Sequence, residues 1–419
     1  MKENKCTNVD VLIVGGGAAG LAAAIAAAER VERLRIVVLE RGERVGRKIA
    51  TTGNGRCNIT NRDLSLAHFH GESVDFARHA LSCYDLSRTT DFFARMGVLI
   101  KYEDSGKAYP YSLQAASVTD ALRFRAAQLG VELMTGVTVT QIRRNLTVVT
   151  DQGNFAAKRV IVAAGGYAAP KTGSDGAGVK LLGALGHTPT RILPAIVQLK
   201  TDNSITRTLK GIKTDGVATV LADEKPLRRE AGEILFTEYG LSGPPILQLS
   251  RTAVAQLGRA CVEISLDIFP DYTLKQTEIL LTARVKQLCD RTLEEFFTAM
   301  LNKRLGQAVL KACGFKLSMS VSELGAREIR LICAKLHDFR FKVTDTTGFS
   351  NAQTTAGGIK TRAFCAKTME SKLVPGLYAA GEVLDIDGDC GGYNLQWAWS
   401  SGLLAGTCAA DSIAKTNKR

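Results

Sequence analysis

Residues Val9 to Glu40 constrain the fold more than any other stretch of the chain. The run Val-Asp-Val-Leu-Ile-Val is β-branched and apolar enough for a buried parallel strand; Gly-Gly-Gly-Ala-Ala-Gly interrupts it; Leu21 to Arg30 supplies good helix formers; and Arg35 to Leu39 reads as a second buried strand. The expected result is a β-α-β unit. Gly15 permits the tight turn out of the strand, Gly17 lets the backbone approach a pyrophosphate, and Gly20 lets helix and strand pack closely. Ala18 and Ala19 then open the helix whose N-terminus would receive the pyrophosphate. Glu40 follows Gly20 by twenty residues, at the end of the second strand, where an acid that binds a ribose 2′-hydroxyl belongs. An adenine dinucleotide with a free 2′-hydroxyl, FAD or NAD, is implied. Val11 to Ala28 is nearly uncharged and about as long as a short membrane span. Ala and Gly dominate it and charges flank it closely, so the membrane reading is rejected.

A chain of 419 residues that is 45% hydrophobic can bury a large core, and two domains fit this length better than one. No apolar segment precedes the first strand, so nothing directs export and a cytoplasmic location is expected. The ten cysteines show no C-x-x-C pair and the five histidines no metal spacing, which argues for reduced thiols and against a zinc site. The balance of 54 basic and 41 acidic residues gives a net charge of +13, favouring anionic ligands. The basic residues are dispersed, without an aromatic-interleaved run, so an anionic cofactor and substrate explain them better than nucleic acid. Arg41, Arg44, Arg47, Lys48 and Arg56 directly follow the nucleotide-binding unit and could neutralise phosphates.

The next stretch, to Asn61, is too rich in Gly, Asn and Thr for a helix or central strand, and a loop this long usually binds something. Gly53 and Gly55 would let backbone amides turn toward a ligand, and Asn54, Asn58 and Asn61 can bond a flavin edge or ribityl chain. Gly46-Arg47-Lys48 followed by Thr52-Gly53-Asn54-Gly55-Arg56-Cys57-Asn58 resembles the signature of the BaiN-like (YhiN-like) family of NAD(P)/FAD-dependent oxidoreductases, distant relatives of the fumarate reductase flavoproteins. The resemblance implies that this loop lines the isoalloxazine of FAD. It also implies an α/β fold: a Rossmann-like, glutathione-reductase-like FAD-binding domain carrying an inserted β-barrel-like and helical domain.

Val74 to Met96 and Ala115 to Leu129 have near-helical spacing. Between them, Gly106 to Ser112 resembles a family element whose Tyr109 is either a proton donor or a packed aromatic. Val131 to Val149 reads as strands, and Arg159 to Gly166 as a buried strand ending in glycines. In flavoproteins of this type Ala164 and Gly165 would close over the dinucleotide, with Val137 touching adenine. Thr172 to Gly176 precedes a helix at Gly178 to Leu185, and departs from the family pattern by reading Asp-Gly-Ala-Gly where a second Asp is common. The domains are expected at residues 1–190 and 346–419 for the FAD-binding part, with an insertion at 191–345. Within the insertion, 191–270 alternates as a small antiparallel sheet or barrel, and 271–340 is mainly helical with breaks at Gly306 and Gly314. Glu238 stands where the family often carries His.

Pro375 to Glu382 repeats the flavin signal: a strand ending at Gly381, then Glu382 to accept ribityl hydroxyls, with Asp385 and Asp387 nearby. Gly391-Gly392-Tyr393-Asn394-Leu395-Gln396 opens a final helix whose positive tip would face the N1–C2=O edge of the flavin, Gly391 and Gly392 allowing close approach. Tyr393 is a second candidate proton donor. Cys57 and Cys390 are either a redox pair near the flavin or small packing residues, and packing is favoured. No second G-x-G-x-x-G follows a strand, so NAD(P)H would dock transiently over noncovalently bound FAD. The resemblance extends to reduction of a conjugated C=C in a 3-oxo steroid acid of the bile-acid type. The alternatives are an aminoacetone-type amine oxidase and a nucleic-acid-binding flavoprotein with a basic surface.

Overall fold

The apolar N-terminal run forms the strand Cys6–Val14, which lies inside a seven-stranded sheet of a computed structural model describing residues 6–416. Its neighbours are Ile36–Glu40 on one side and Gly153–Val162 on the other, both parallel to it; Glu132–Thr135 extends the first edge in parallel. The long strand Gly153–Val162 is shared. Its first four residues pair antiparallel with Thr147–Thr150, while Val160 to Val162 pair in parallel with Leu377–Ala379. A parallel sheet is covered on both faces and so reads as continuous apolar sequence, which is why Val11 to Ile13 and Ile36 to Leu39 are at most 1% exposed.

The helix Ala18–Arg30 follows the first strand directly and packs against the C-terminal helix Tyr393–Thr416. Small residues make this contact. A Cβ on Gly402 would lie 2.4 Å from the Ala19 carbonyl oxygen, and one on Gly406 would lie 2.1 Å from that of Ala23. The two backbones therefore touch, and the Ala-rich composition that resembled a membrane span serves close helix packing. Among the described residues, no helix is long and apolar enough to cross a membrane.

The chain divides into two compact units, one of residues up to Pro194 and from Ala352 onward, the other Ala195–Asn351. The second unit contains a closed six-stranded antiparallel barrel in the order Leu199–Thr201, Gly240–Ser242, Lys225–Phe236, Lys213–Ala222, Val262–Asp267 and Phe339–Thr346. Helices Leu274–Gln287, Lys303–Ala312 and Ala326–His337 complete it. Gly306 is not a break. It lies inside the second of these helices, where a Cβ would meet Phe297 at 2.6 Å, so its small size serves packing. Gly314, with φ +86°, does follow that helix's end, in the left-handed conformation that terminates helices.

Candidate active site

One cavity in the first unit, about 1300 Å³ of atom-free space, runs from the β-α-β turn to the start of the C-terminal helix. Gly15 (φ +105°) makes the turn; a Cβ there would lie 2.6 Å from the Ala163 carbonyl oxygen. Gly17 is the helix N-cap, and a Cβ on it would meet nothing within 4 Å, so its face opens on the cavity. No side chain caps this helix, leaving the first-turn N–H groups, at the cavity-lining Ala18 and Ala19, for an anion. Gly20 does not line the cavity; a Cβ there would be 1.9 Å from the Gly15 carbonyl oxygen.

Glu40 is held by two backbone donors: Gly16 N–H to Oε2 at 2.9 Å and Gly42 N–H to Oε1 at 2.8 Å. A carboxylate has about four acceptor sites, so two remain for ribose hydroxyls. Val137 is placed beside it, donating its N–H to the Glu40 carbonyl at 3.0 Å, and Ala164 and Gly165 line the same end. Arg41 and Arg47 also line the cavity, but their forks grip residues 171–175 rather than standing free for phosphate. Arg41 donates to Asp175 and to the Gly173 carbonyl, each at 2.6 Å, and Arg47 to the Lys171 carbonyl at 2.8 Å. Lys48 reaches across to Glu382 at 2.5 Å, and Glu382 also accepts the Thr355 N–H at 2.8 Å. Both side chains are about four-fifths buried, at 25% and 18% exposure, and both line the cavity beside Gly381.

At the far end Thr52, Asn394 and Leu395 line the cavity, whereas Gly53, Asn54, Gly55, Asn58, Gly391 and Gly392 are not part of this lining. Of these, Gly53 packs on Tyr109, where a Cβ would lie 3.2 Å from its ring, and a Cβ on Gly392 would lie 2.9 Å from Asn58 Oδ1. Asn58 is 9% exposed and its Oδ1 has no hydrogen-bond partner among the described residues, whereas Asn54 and Gly55 are exposed to solvent. Tyr109 is 4% exposed, with the Arg56 guanidinium 4.4 Å above its ring centre. Burial raises its phenol above the ordinary value, Arg56 opposes this, and Glu103, Cys390 and Cys57 add to it. Tyr393 stacks on His68 at 4.5 Å; burial first, then Asp63 and Asp389, push its phenol up to about 12. Burial also pushes the Cys57 thiol up to about 12 and raises Cys390, so neither is a thiolate near neutrality.

Gln396 does not reach the cavity. It is fully buried on the other side of the C-terminal helix, bonded to Thr60, Thr89, Ser400 and the Tyr84 carbonyl. Asp385 is likewise inward, accepting the Glu72 N–H at 2.8 Å. Trp397 and Ala398 line the cavity without having been expected there; they lie three and four residues after Asn394, a helical repeat that could have found them. Sequence reasoning also missed a carboxylate held between two imidazoles: Asp389 contacts His68 Nδ1 at 3.2 Å and His70 Nε2 at 2.8 Å. The His-x-His spacing across a short strand was its only trace.

Residues 9–408 match the family model described as HI0933-like protein Rossmann domain. The chain is 37% identical over 404 residues to the 3-dehydro-bile acid delta(4,6)-reductase of Clostridium scindens, covering 95% of this chain and 98% of the relative. It is 30% identical over 412 residues to the ribosomal RNA dihydrouridine synthase of Escherichia coli, covering 97% and 98%. A solved quinol-fumarate reductase with menaquinol shares the fold, with a TM-score of 0.51 at 16% identity, over 98% of this chain and 72% of that one. The match spans nearly the whole chain, and the chain belongs to the HI0933-like Rossmann-domain family of flavin-dependent oxidoreductases.

Proposed function

We propose that the protein binds FAD noncovalently and uses NAD(P)H to reduce an electron-poor C=C conjugated to a carbonyl, in an oxo-steroid acid of the 3-dehydro bile acid type. The observation that carries this reading is the joining, in one cavity, of an uncapped helix N-terminus, a doubly held Glu40 and Glu382, with Tyr109 packed behind its far end. The residues fit the cofactor: open space before Gly17, free first-turn donors for a pyrophosphate, and carboxylate acceptors for sugar hydroxyls. FAD held here would supply hydride chemistry for reduction of the C=C bond. The chain's own part is to orient both ligands and to deliver a proton to the α-carbon.

Of the two tyrosine candidates, Tyr109 suits this proton delivery better. Burial and Glu103 raise the Tyr109 phenol, but the Arg56 cation over its ring opposes them and stabilises the phenolate that remains, whereas at Tyr393 burial and two carboxylates act together to hold the proton on. The near-full-length relative at 37% identity supports the bile-acid substrate. A second reading shares the chemistry: uracil C5=C6 is also conjugated to a carbonyl, and the net charge of +13 with the dihydrouridine synthase relative favours an RNA base.

Anaerobic flavin absorbance tests the proposal. NADH or NADPH bleaches the flavin, an amine does not, and a dienone bile acid restores the colour. Recovery with uridine-containing ribosomal RNA instead, in a salt-sensitive manner, selects the second reading; bleaching by the amine moves the protein to the oxidases.

A further inference from the structure

Arg56, which the sequence grouped with the phosphate-neutralising cations, does not line the cavity as the other four do. Its guanidinium is used on three sides. Nε donates to the Gly53 carbonyl at 3.3 Å, Nη1 pairs with Glu103 at 3.1 Å, and Nη2 donates to the Tyr109 hydroxyl oxygen at 3.4 Å, the plane lying over the phenol ring. Among the described residues the Tyr109 hydroxyl has no other hydrogen-bond partner. The oxygen therefore accepts from Arg56 and its own proton is left to donate elsewhere. The same cation ties the glycine loop that follows Thr52, which lines the cavity, to the strand Lys107–Pro110 that carries the tyrosine.

We propose that Arg56 is a positioning residue for the proton donor: anchored by Glu103 and Gly53, it fixes the Tyr109 ring and holds its oxygen as an acceptor, leaving the O–H for substrate. This rests on the reading of Tyr109 as the acid. In the step, Tyr109 gives its proton to the α-carbon as the β-carbon receives hydride, and the resulting phenolate beside Arg56 regains a proton from water. A lysine could keep the charge but not the flat fork that bonds three groups while stacking on the ring. The groups facing this phenol are Arg56, Glu103, Cys57 and Cys390, of which only Arg56 is a cation.

The test is ultraviolet titration of tyrosinate in the full chain with and without FAD, with the Y109F protein as the difference reference. R56Q moves the Tyr109 midpoint upward by about one pH unit, R56K moves it less, and E103Q shifts it slightly as the anchor loosens. An unchanged midpoint in R56Q overturns the proposal. In turnover, R56Q and Y109F each lower kcat at least tenfold with KM nearly constant, and the double variant is no slower than Y109F alone. Multiplying losses would mean that Arg56 acts independently, and would also overturn it. If Y109F keeps full kcat while the midpoint still shifts in R56Q, the acid assignment fails but the Arg56–Tyr109 coupling stands.

Discussion

Replacing Glu40 by glutamine changes almost no volume, so its effect isolates the role of the second carboxylate oxygen. The two backbone donors from Gly16 and Gly42 reach different oxygens, at 2.9 and 2.8 Å. Glutamine offers one oxygen and one NH2, so one of these N–H groups must face another donor. The loss is one charge-assisted hydrogen bond, and the remaining bond weakens as the charge disappears; together these cost roughly 2 kcal/mol of apoprotein stability. FAD binding suffers separately, because the ribose loses a charged acceptor worth roughly 1.5–3 kcal/mol, which is a roughly 10- to 150-fold weaker Kd. Urea denaturation of the apoprotein gives the first quantity as a lower midpoint at unchanged slope, and fluorescence titration with FAD gives the second. Glu40→Asp, which keeps the charge on a shorter stem, loses less affinity than Glu40→Gln if charge dominates and more if reach does. An unchanged midpoint together with an unchanged Kd in Glu40→Gln would refute both the double anchoring and the ribose assignment.

Other parts of the molecule give equally direct tests. Gly20→Ala places a methyl 1.9 Å from the Gly15 oxygen, forcing apart strand and helix; a loss of at least about 3 kcal/mol and of FAD binding is expected, and a stable FAD-binding variant would contradict the close packing. Native alkylation at pH 8 labels exposed Cys6, Cys261 and Cys289 within minutes and leaves buried Cys57 intact, as peptide mass spectrometry would record; rapid labelling of Cys57 would revive a redox role. For Asp175 burial raises the carboxyl, but the hydrogen bonds from Arg41 and the Ala177 N–H prevail, so its folded value lies below the ordinary one. A lowered folded value stabilises fully above the unfolded value near about 4 and loses that contribution as pH falls through the folded one. Amide exchange at Gly173 to Gly176 is therefore slow at pH 6 and accelerates, relative to the intrinsic rate, only at pH values below about 4. Asp175→Asn removes that transition.

The elements legible in the sequence were those whose pattern is set by local physics. Apolar runs bounded by glycine became parallel strands, and the alternating segments of 191–270 became strands of a barrel, because side-chain period and turn residues act over a few positions. Val74 to Met96 read as one helical stretch but is two helices, Asp75–Cys83 and Leu86–Ala94, since Asp85 caps the second by accepting the Arg88 N–H. Gly306 was misread for the opposite reason. A glycine inside a helix costs only about 1 kcal/mol, and the Phe297 ring that uses the missing side chain is nine residues away and invisible to a local pattern.

Residue type announced the candidate site, whereas direction did not. Glu40 ends the strand Ile36–Glu40, and Glu382 lies in the short turn Gly381–Val383 just past the strand Leu377–Ala379, both at the sheet's carboxyl edge, where ligands of such folds lie; both line the cavity. Arg41 and Arg47 carry the charge expected beside a phosphate, yet the segment whose carbonyls they grip begins 124 residues further along the chain. Gln396 differs from its neighbours Asn394 and Leu395 only in phase: a helix turns about 100° per residue, so two adjacent residues can face the cavity while the next faces the core. The same phase rule returns Trp397 and Ala398 to the cavity wall. Helical phase can be read from a sequence once one residue of the helix is placed; long-range pairing such as Arg41 with Asp175, or Arg56 with Tyr109, cannot. That is why one half of the cavity could be outlined from motifs, while the contact between Arg56 and Tyr109 emerged only from the fold.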